Sequence, residues 1–267
     1  MHDSLLLPFA DPQRHARISD IIRRHSQNRR DIREVALADL NFDFAKKILD
    51  LGCGFGFMMK ALSPHLPADA HVIGVDACMG NEAAYLSLLK KVDIDGEFIK
   101  KRIDTVLPWE SRSFDMVITS YSLYFFIDAL PDIARVLSPG GLFLSIAHSK
   151  TSFAGLFEAT GLDLKRSPLY KLLQTFSAEN GATHLGRFFE RVERLDYSND
   201  LCFESDQMED LFEYVDFKMP MLLADGAVPT MRLQDLKERI SASVSSAGRI
   251  IIEKDDAIFL CRGSKWQ

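Results

Sequence analysis

Cysteine is scarce in this chain and never clustered. Cys53, Cys78, Cys202 and Cys261 stand far apart and form no C-x-x-C pair. That spacing indicates neither a zinc knuckle nor a disulfide framework, and no metal site is expected. Long apolar runs are missing too, since no stretch reaches the ~18 apolar residues of a membrane span. The opening Met1-His2-Asp3-Ser4-Leu5-Leu6-Leu7-Pro8 holds an acid and too short an apolar core for a signal peptide. A reduced, cytoplasmic protein is the plain expectation. There is no excess of basic charge: the net charge is −6 and the pI about 5.7, which argues against a broad nucleic-acid footprint. Internal repeats and low-complexity tracts are absent as well.

What is present suffices for one large domain. The 267 residues are 47% hydrophobic, enough to bury a full core. The most informative stretch is Asp50-Leu51-Gly52-Cys53-Gly54-Phe55-Gly56, between the strand-like Lys47-Ile48-Leu49 and a helix-like stretch, Phe57 to Leu62. Glycines at this spacing fit a tight strand-to-helix turn that backbone and ligand approach closely, and a helix starting there would offer free N–H groups to an anion. Asp76 ends the next apolar run, Val72-Ile73-Gly74-Val75, near the ~20-residue offset of a ribose-binding carboxylate in nucleotide-binding βαβ units. A nicotinamide fingerprint, G-x-G-x-x-G, needs a glycine at position 57, where Phe57 stands.

Asp-x-Gly-x-Gly-x-Gly is instead the pattern of the class I S-adenosylmethionine-dependent methyltransferases, and this segment resembles it without a mismatch. Further segments agree in order. Asp104 resembles the family's adenine-contacting residue after the third strand. Ser113-Phe114-Asp115-Met116-Val117 resembles the S-F-D-x-V strand. Leu137-Ser138-Pro139-Gly140-Gly141 resembles the L-K-P-G-G turn, with Ser138 in place of lysine. The resemblance covers residues 46–147. It implies an α/β fold, a doubly wound seven-stranded Rossmann-like sheet in the order 3-2-1-4-5-7-6, with a helical cap insertion. It also implies S-adenosyl-L-methionine as cofactor, leaving as S-adenosyl-L-homocysteine.

Alternating patterns agree with a parallel sheet flanked by helices. Strands are expected near 46–51, 71–76, 97–101, 114–120 and 141–147, with helices over 56–64, 80–91 and 128–137. Pro131 fits the first turn of the last helix and Gly140 its end. Residues 1–12 read as a loose terminus, within an N-terminal helical segment, 1–40. A cofactor-binding core, 41–150, precedes a helical cap, 151–190, with 198–248 as a further candidate. Residues 191–267 would complete the sheet, through strands at 191–196 and 257–261, around a helical insertion of two stretches near 205–215 and 232–246.

Ligands of open α/β sheets bind at the carboxyl ends of the strands. By resemblance, cofactor contact falls to Asp50, Gly52, Cys53, Gly54, Gly56, Asp76, Ala77, Ile103, Asp104, Thr105 and Ser120. Asp76 would take the ribose hydroxyls, Asp104 the adenine amino group, and Asp50 would orient the loop and the cofactor ammonium. Methyl transfer from an activated sulfonium relies mainly on proximity and needs a base only where the acceptor loses a proton. Tyr121, Tyr124 and His148 are the catalytic candidates by position, and each reads equally as a wall or structural residue. Arg14, Arg17, Arg23, Arg24, Arg29, Arg30 and Arg33 crowd the N-terminal segment, opposite an apolar stripe that includes Ile18, Ile21 and Ile32. They read as a solvated helix face, or in part as contacts for an anionic substrate or the cofactor carboxylate. The expected reaction is methyl transfer to a small-molecule acceptor, apolar or aromatic in character, at an O, N or C atom. The alternatives are an RNA or protein methyltransferase and a non-catalytic cofactor-binding regulator.

Overall fold

The computed structural model describes residues 3–223 and 233–266. Two helices, α1 (Pro12–His25) and α2 (Ile32–Leu37), lead into β1 (Lys47–Leu51). Then follow α3 (Met59–Leu62), β2 (His71–Asp76), α4 (Glu82–Lys91), β3 (Asp95–Lys100), β4 (Phe114–Ser120), α5 (Leu130–Val136) and β5 (Leu137–His148). The second half runs α6 (Ala154–Thr160), α7 (Pro168–Thr175), α8 (Gly181–Leu185), β6 (Phe189–Tyr197), β7 (Asp200–Glu204), α9 (Met208–Leu222), α10 (Leu233–Ala247), β8 (Arg249–Glu253) and β9 (Asp256–Ser264). Among the described residues no helix is long and apolar enough to cross a membrane.

Seven strands form one sheet in the order β3-β2-β1-β4-β5-β9-β6. The first five pair in parallel, and β9 runs antiparallel between β5 and β6. This is the expected order 3-2-1-4-5-7-6 once the small β7–β8 pair is set aside. Both faces of the sheet are covered, which is why its central strands read as near-continuous apolar runs. Side chains alternate between faces: Val117 joins the cluster with α5 and Phe143, whereas Met116 and Ile118 join the one with α2, α3 and α4.

A third cluster lies apart from the sheet. It gathers Ile18 and Ile21 of α1, Leu156 and Phe157 of α6, Leu173 of α7, Tyr214 and Phe217 of α9, Ile240 of α10, and β7 with β8. The layer over the sheet thus draws on both ends of the chain, not on 151–190 alone. The last part of that segment packs elsewhere: Ala178 and Leu185 belong to the sheet's own core. The antiparallel β7–β8 pair went unforeseen.

Three local expectations need correction. The helix after the glycine loop is one turn, Met59–Leu62, followed by a 3-10 turn, Ser63–His65. Pro64, without an N–H, stops its propagation. So short a helix aligns few peptide dipoles and provides no anion site of its own. Gly140, at φ 79°, turns within β5 rather than ending α5, which stops at Val136. Residues Asp3–Ala10 form a 3-10 helix instead of a loose terminus, because Leu5 is buried and Phe9 packs edge-on against Phe217 at 5.6 Å.

The glycines of the loop divide their work. Gly56, at φ 93°, abuts α4, where an added Cβ would lie 2.3 Å from Leu88 Cδ2. Gly54, at φ 54°, has only His15 within 4 Å of such a Cβ, at 3.8 Å. Overpacking and left-handed backbone strain together make Gly56→Ala cost about 2–4 kcal/mol, read by urea denaturation. Gly54→Ala is expected to cost only the strain, about 1–2 kcal/mol.

Candidate active site

A cavity of about 800 Å³ lies at the carboxyl ends of β1, β2, β4 and β5, roofed by α1 and α9. Its first wing is built on the β1 and β2 turns. The Gly54 N–H donates to Asp76 Oδ2 at 2.8 Å, and the Cys78 N–H donates to Oδ1 at 2.7 Å. Asn81 Nδ2 donates to Oδ1 at 3.3 Å. A carboxylate has about four acceptor positions, so Asp76 retains capacity for a hydroxyl donor while its orientation is locked. Ser120 Oγ is buried without a partner among the described residues, and Ser120 lines the same cavity. A ribose-bearing ligand with further polar groups suits this wing.

The second wing centres on a buried carboxylate. Asp256, opposite His148 in the β5–β9 register, is 3% exposed. His148 Nδ1 lies 2.6 Å from its Oδ1, the Tyr121 hydroxyl donates to Oδ2 at 2.7 Å, and Lys254 Nζ donates to Oδ2 at 2.5 Å. Burial alone would raise the Asp256 carboxyl, but Lys254 and His148 outweigh it and hold it below the usual carboxylate range. Its charge makes His148 Nδ1 the protonated, donating nitrogen, so Nε2 carries the lone pair. Burial, with the nearby Lys254 charge, lowers the imidazole to about 4. Tyr121 stacks on the His148 ring at 4.5 Å and sits at φ 55°. That conformation is unusual for a bulky residue, and the Asp256 bond helps to hold it.

Charged histidine is therefore disfavoured in the folded state. An unfolded histidine takes its proton near pH 6.5, folded His148 only near 4. Between these values the unfolded chain binds more protons, so the His148 contribution to stability falls as the pH drops. His15, lowered to about 3 by burial and by Lys218, acts in the same direction. The stability gap between wild type and His148→Gln is expected to shrink by about 2–3 kcal/mol from pH 7 to pH 4, measured by urea titrations at each pH.

The cavity lining unites Gly52, Gly54, Asp76, Ala77, Ile103 and Ser120 with Tyr121, Tyr124 and His148. Other expected contacts lie outside that lining. Asp50 is 2% exposed beneath the loop, where the Tyr85 hydroxyl donates to it at 3.3 Å. Burial raises its carboxyl to about 7, against the Tyr85 bond. Cys53 is buried and Gly56 packs on Leu88. Asp104 and Thr105 are exposed. The arginines also separate. Arg17 pairs with Glu213, Arg24 with Asp210, Arg23 with Asp20 and Arg33 with Asp31. Arg29 and Arg30 line the cavity and make no ion pair among the described residues. Sequence reasoning missed Lys254, Asp256, Lys218, His15 and Asn81.

The sheet order, with a cavity at the carboxyl ends of its strands, is the class I methyltransferase fold, a fold whose cofactor is S-adenosylmethionine. Residues 48–141 match the family model of a methyltransferase domain, so this chain carries that domain as its core. The YcgJ protein of Bacillus subtilis is similar at 18% identity over 86% of this chain and 97% of that one, with a TM-score of 0.51. A methyltransferase-like structure from Bacillus halodurans is similar at 13% identity over 85% and 96%, with a TM-score of 0.53. At such identities the likeness speaks to the fold. No curated protein matches the chain.

Proposed function

We propose that this protein transfers a methyl group from S-adenosylmethionine to a small molecule held between the sheet and the helical layer. The continuity of the cavity carries this reading. One volume of about 800 Å³ joins Asp76 and Gly54 to His148 and Asp256, within the size range of small-molecule sites. The ion pairs of Arg17, Arg23 and Arg24 favour a small acceptor over RNA, because they neutralise the α1 face that an RNA would need.

In this reading Asp76 accepts from the ribose, and Gly54 lets the backbone approach the methionine part. Ala77 and Ile103 border the adenine, and Asp104 reaches its amino group only if the exposed loop closes inward. When bound, the cofactor supplies an electrophilic methyl carbon. Alignment of the acceptor toward that carbon is the main contribution of the walls. His148, held by Asp256 with Nε2 unprotonated, is the base for an acceptor that must lose a proton. Tyr121 and Tyr124 do not fill that role: burial holds both phenols far above their usual range. Tyr121 instead positions His148.

The test is calorimetry with S-adenosylhomocysteine, followed by an acceptor screen with labelled methyl. Micromolar binding and transfer to a small molecule are expected. Binding without transfer to any acceptor would leave a cofactor-binding regulator, and failure to bind would end the methyltransferase reading.

A further inference from the structure

The cavity is basic in an acidic protein. Lysine and arginine outnumber aspartate and glutamate nine to five along its lining, while the whole chain carries −6. Most of that excess sits near the mouth, but Lys218 does not. This α9 residue is 7% exposed, and its ammonium makes no hydrogen bond or ion pair among the described residues. Its ammonium lies 5.3 Å from the ring of Phe153, 5.5 Å from Phe217 and 5.9 Å from Tyr214.

Ring faces contribute about 0.5–2 kcal/mol each to a cation, whereas removing an ammonium from water costs several kcal/mol. The usual remedy is a carboxylate. Asp256 is the one whose charge supports Lys218, and it is already engaged by His148, Tyr121 and Lys254. Burial, reinforced by the Lys254 charge, lowers the Lys218 ammonium to about 7. Such a cation is stabilised by a ligand that brings its own negative charge. The same cavity also presents apolar side chains, among them Tyr124, Phe125, Phe126 and Met221.

We infer that the methyl acceptor is a small organic anion, with an apolar body and a carboxylate or phosphate group for which Lys218 is the counter-ion. This inference rests on the methyltransferase reading and narrows its substrate. Arg29 and Arg30 at the mouth favour the entry of such an anion, since like-signed lining charge focuses the field in a cleft.

The test uses the full chain saturated with S-adenosylhomocysteine, as wild type, Lys218→Met and Lys218→Arg. Calorimetry compares 4-hydroxybenzoate with 4-hydroxybenzamide, and phenyl phosphate with benzyl alcohol. Wild type is expected to prefer at least one anion over its neutral match by about tenfold or more, and the preferred head group tells carboxylate from phosphate. Lys218→Met is expected to lose that preference and Lys218→Arg to retain part of it, with S-adenosylhomocysteine affinity unchanged in both. Equal affinity for anion and neutral match, or no binding of either anion at millimolar concentration, would overturn the inference. So would a loss of S-adenosylhomocysteine affinity in Lys218→Met of about tenfold, which would put the ammonium on the cofactor's carboxylate. Failure of wild type to bind S-adenosylhomocysteine would instead strike the methyltransferase reading itself.

Discussion

Asp76→Ala is expected to weaken S-adenosylhomocysteine binding by about 100-fold, or 2.7 kcal/mol. Hydrogen bonds to a charged group contribute about 1.5–3 kcal/mol each, and in the proposed complex the ribose makes at least one to Asp76. The carboxylate also holds the Gly54 and Cys78 N–H groups and Asn81, so both turns that frame the cofactor wing loosen when it is removed. Asp76→Asn separates these effects. Its amide oxygen still accepts one N–H, but the amide nitrogen cannot accept from the other, and the charge is gone. An intermediate loss of about tenfold is expected. Calorimetry on both variants checks the pair, and an Asp76→Ala protein that binds as wild type would remove Asp76 from the cofactor site.

Asp256→Ala is expected to destabilise the fold by about 3–5 kcal/mol, because breaking a buried ion pair strands the remaining charge. Here Lys254, His148 and Tyr121 all lose their common acceptor. The double variant Asp256→Leu with Lys254→Met leaves no stranded charge and is expected to recover most of that loss, since buried pairs replaced by apolar residues are often neutral or better. Urea denaturation of Asp256→Leu, Lys254→Met and the double forms a cycle whose coupling energy isolates the pair. A cost below about 1 kcal/mol for Asp256→Ala would mean that water enters and solvates Lys254.

The order of the parallel strands was readable because the central ones are buried on two faces and punctuated by turn chemistry. Asp50 to Gly56, Asp76 and Ser113 to Val117 mark three neighbouring strands in one grammar. The second wing was not readable, because its residues are brought together by register. Glu253-Lys254-Asp255-Asp256 has the composition of a solvated turn. Only the antiparallel pairing of β9 with β5 sets Asp256 opposite His148 and takes the carboxylate out of water. Lys218 was hidden in a similar way: one cation on an amphipathic helix reads as a solvent-facing residue, until Phe153 arrives from elsewhere in the chain. Asp104 shows the converse limit. Its motif position is intact, yet its side chain is exposed outside the cavity lining.

The place of β9 between β5 and β6 has a consequence for biosynthesis. Among the described residues β6 pairs with β9 alone, and β7 pairs with β8 apart from one bridge between Leu201 and Ser26, so the ribosome makes both strands well before their strand partners. During that interval residues 189–204 hang as two unsatisfied edges, and unpaired edges invite other chains. β6 is rich in exposed charge, with Glu190, Arg191, Glu193, Arg194 and Asp196, a composition that discourages such pairing. The nascent chain holds its cofactor loop early, but His148 meets Asp256 only when β9 slots in. The His148–Asp256 wing of the cavity is therefore among the last parts of the molecule to come into being, and a stalled or truncated chain would carry the glycine loop and Asp76 without it.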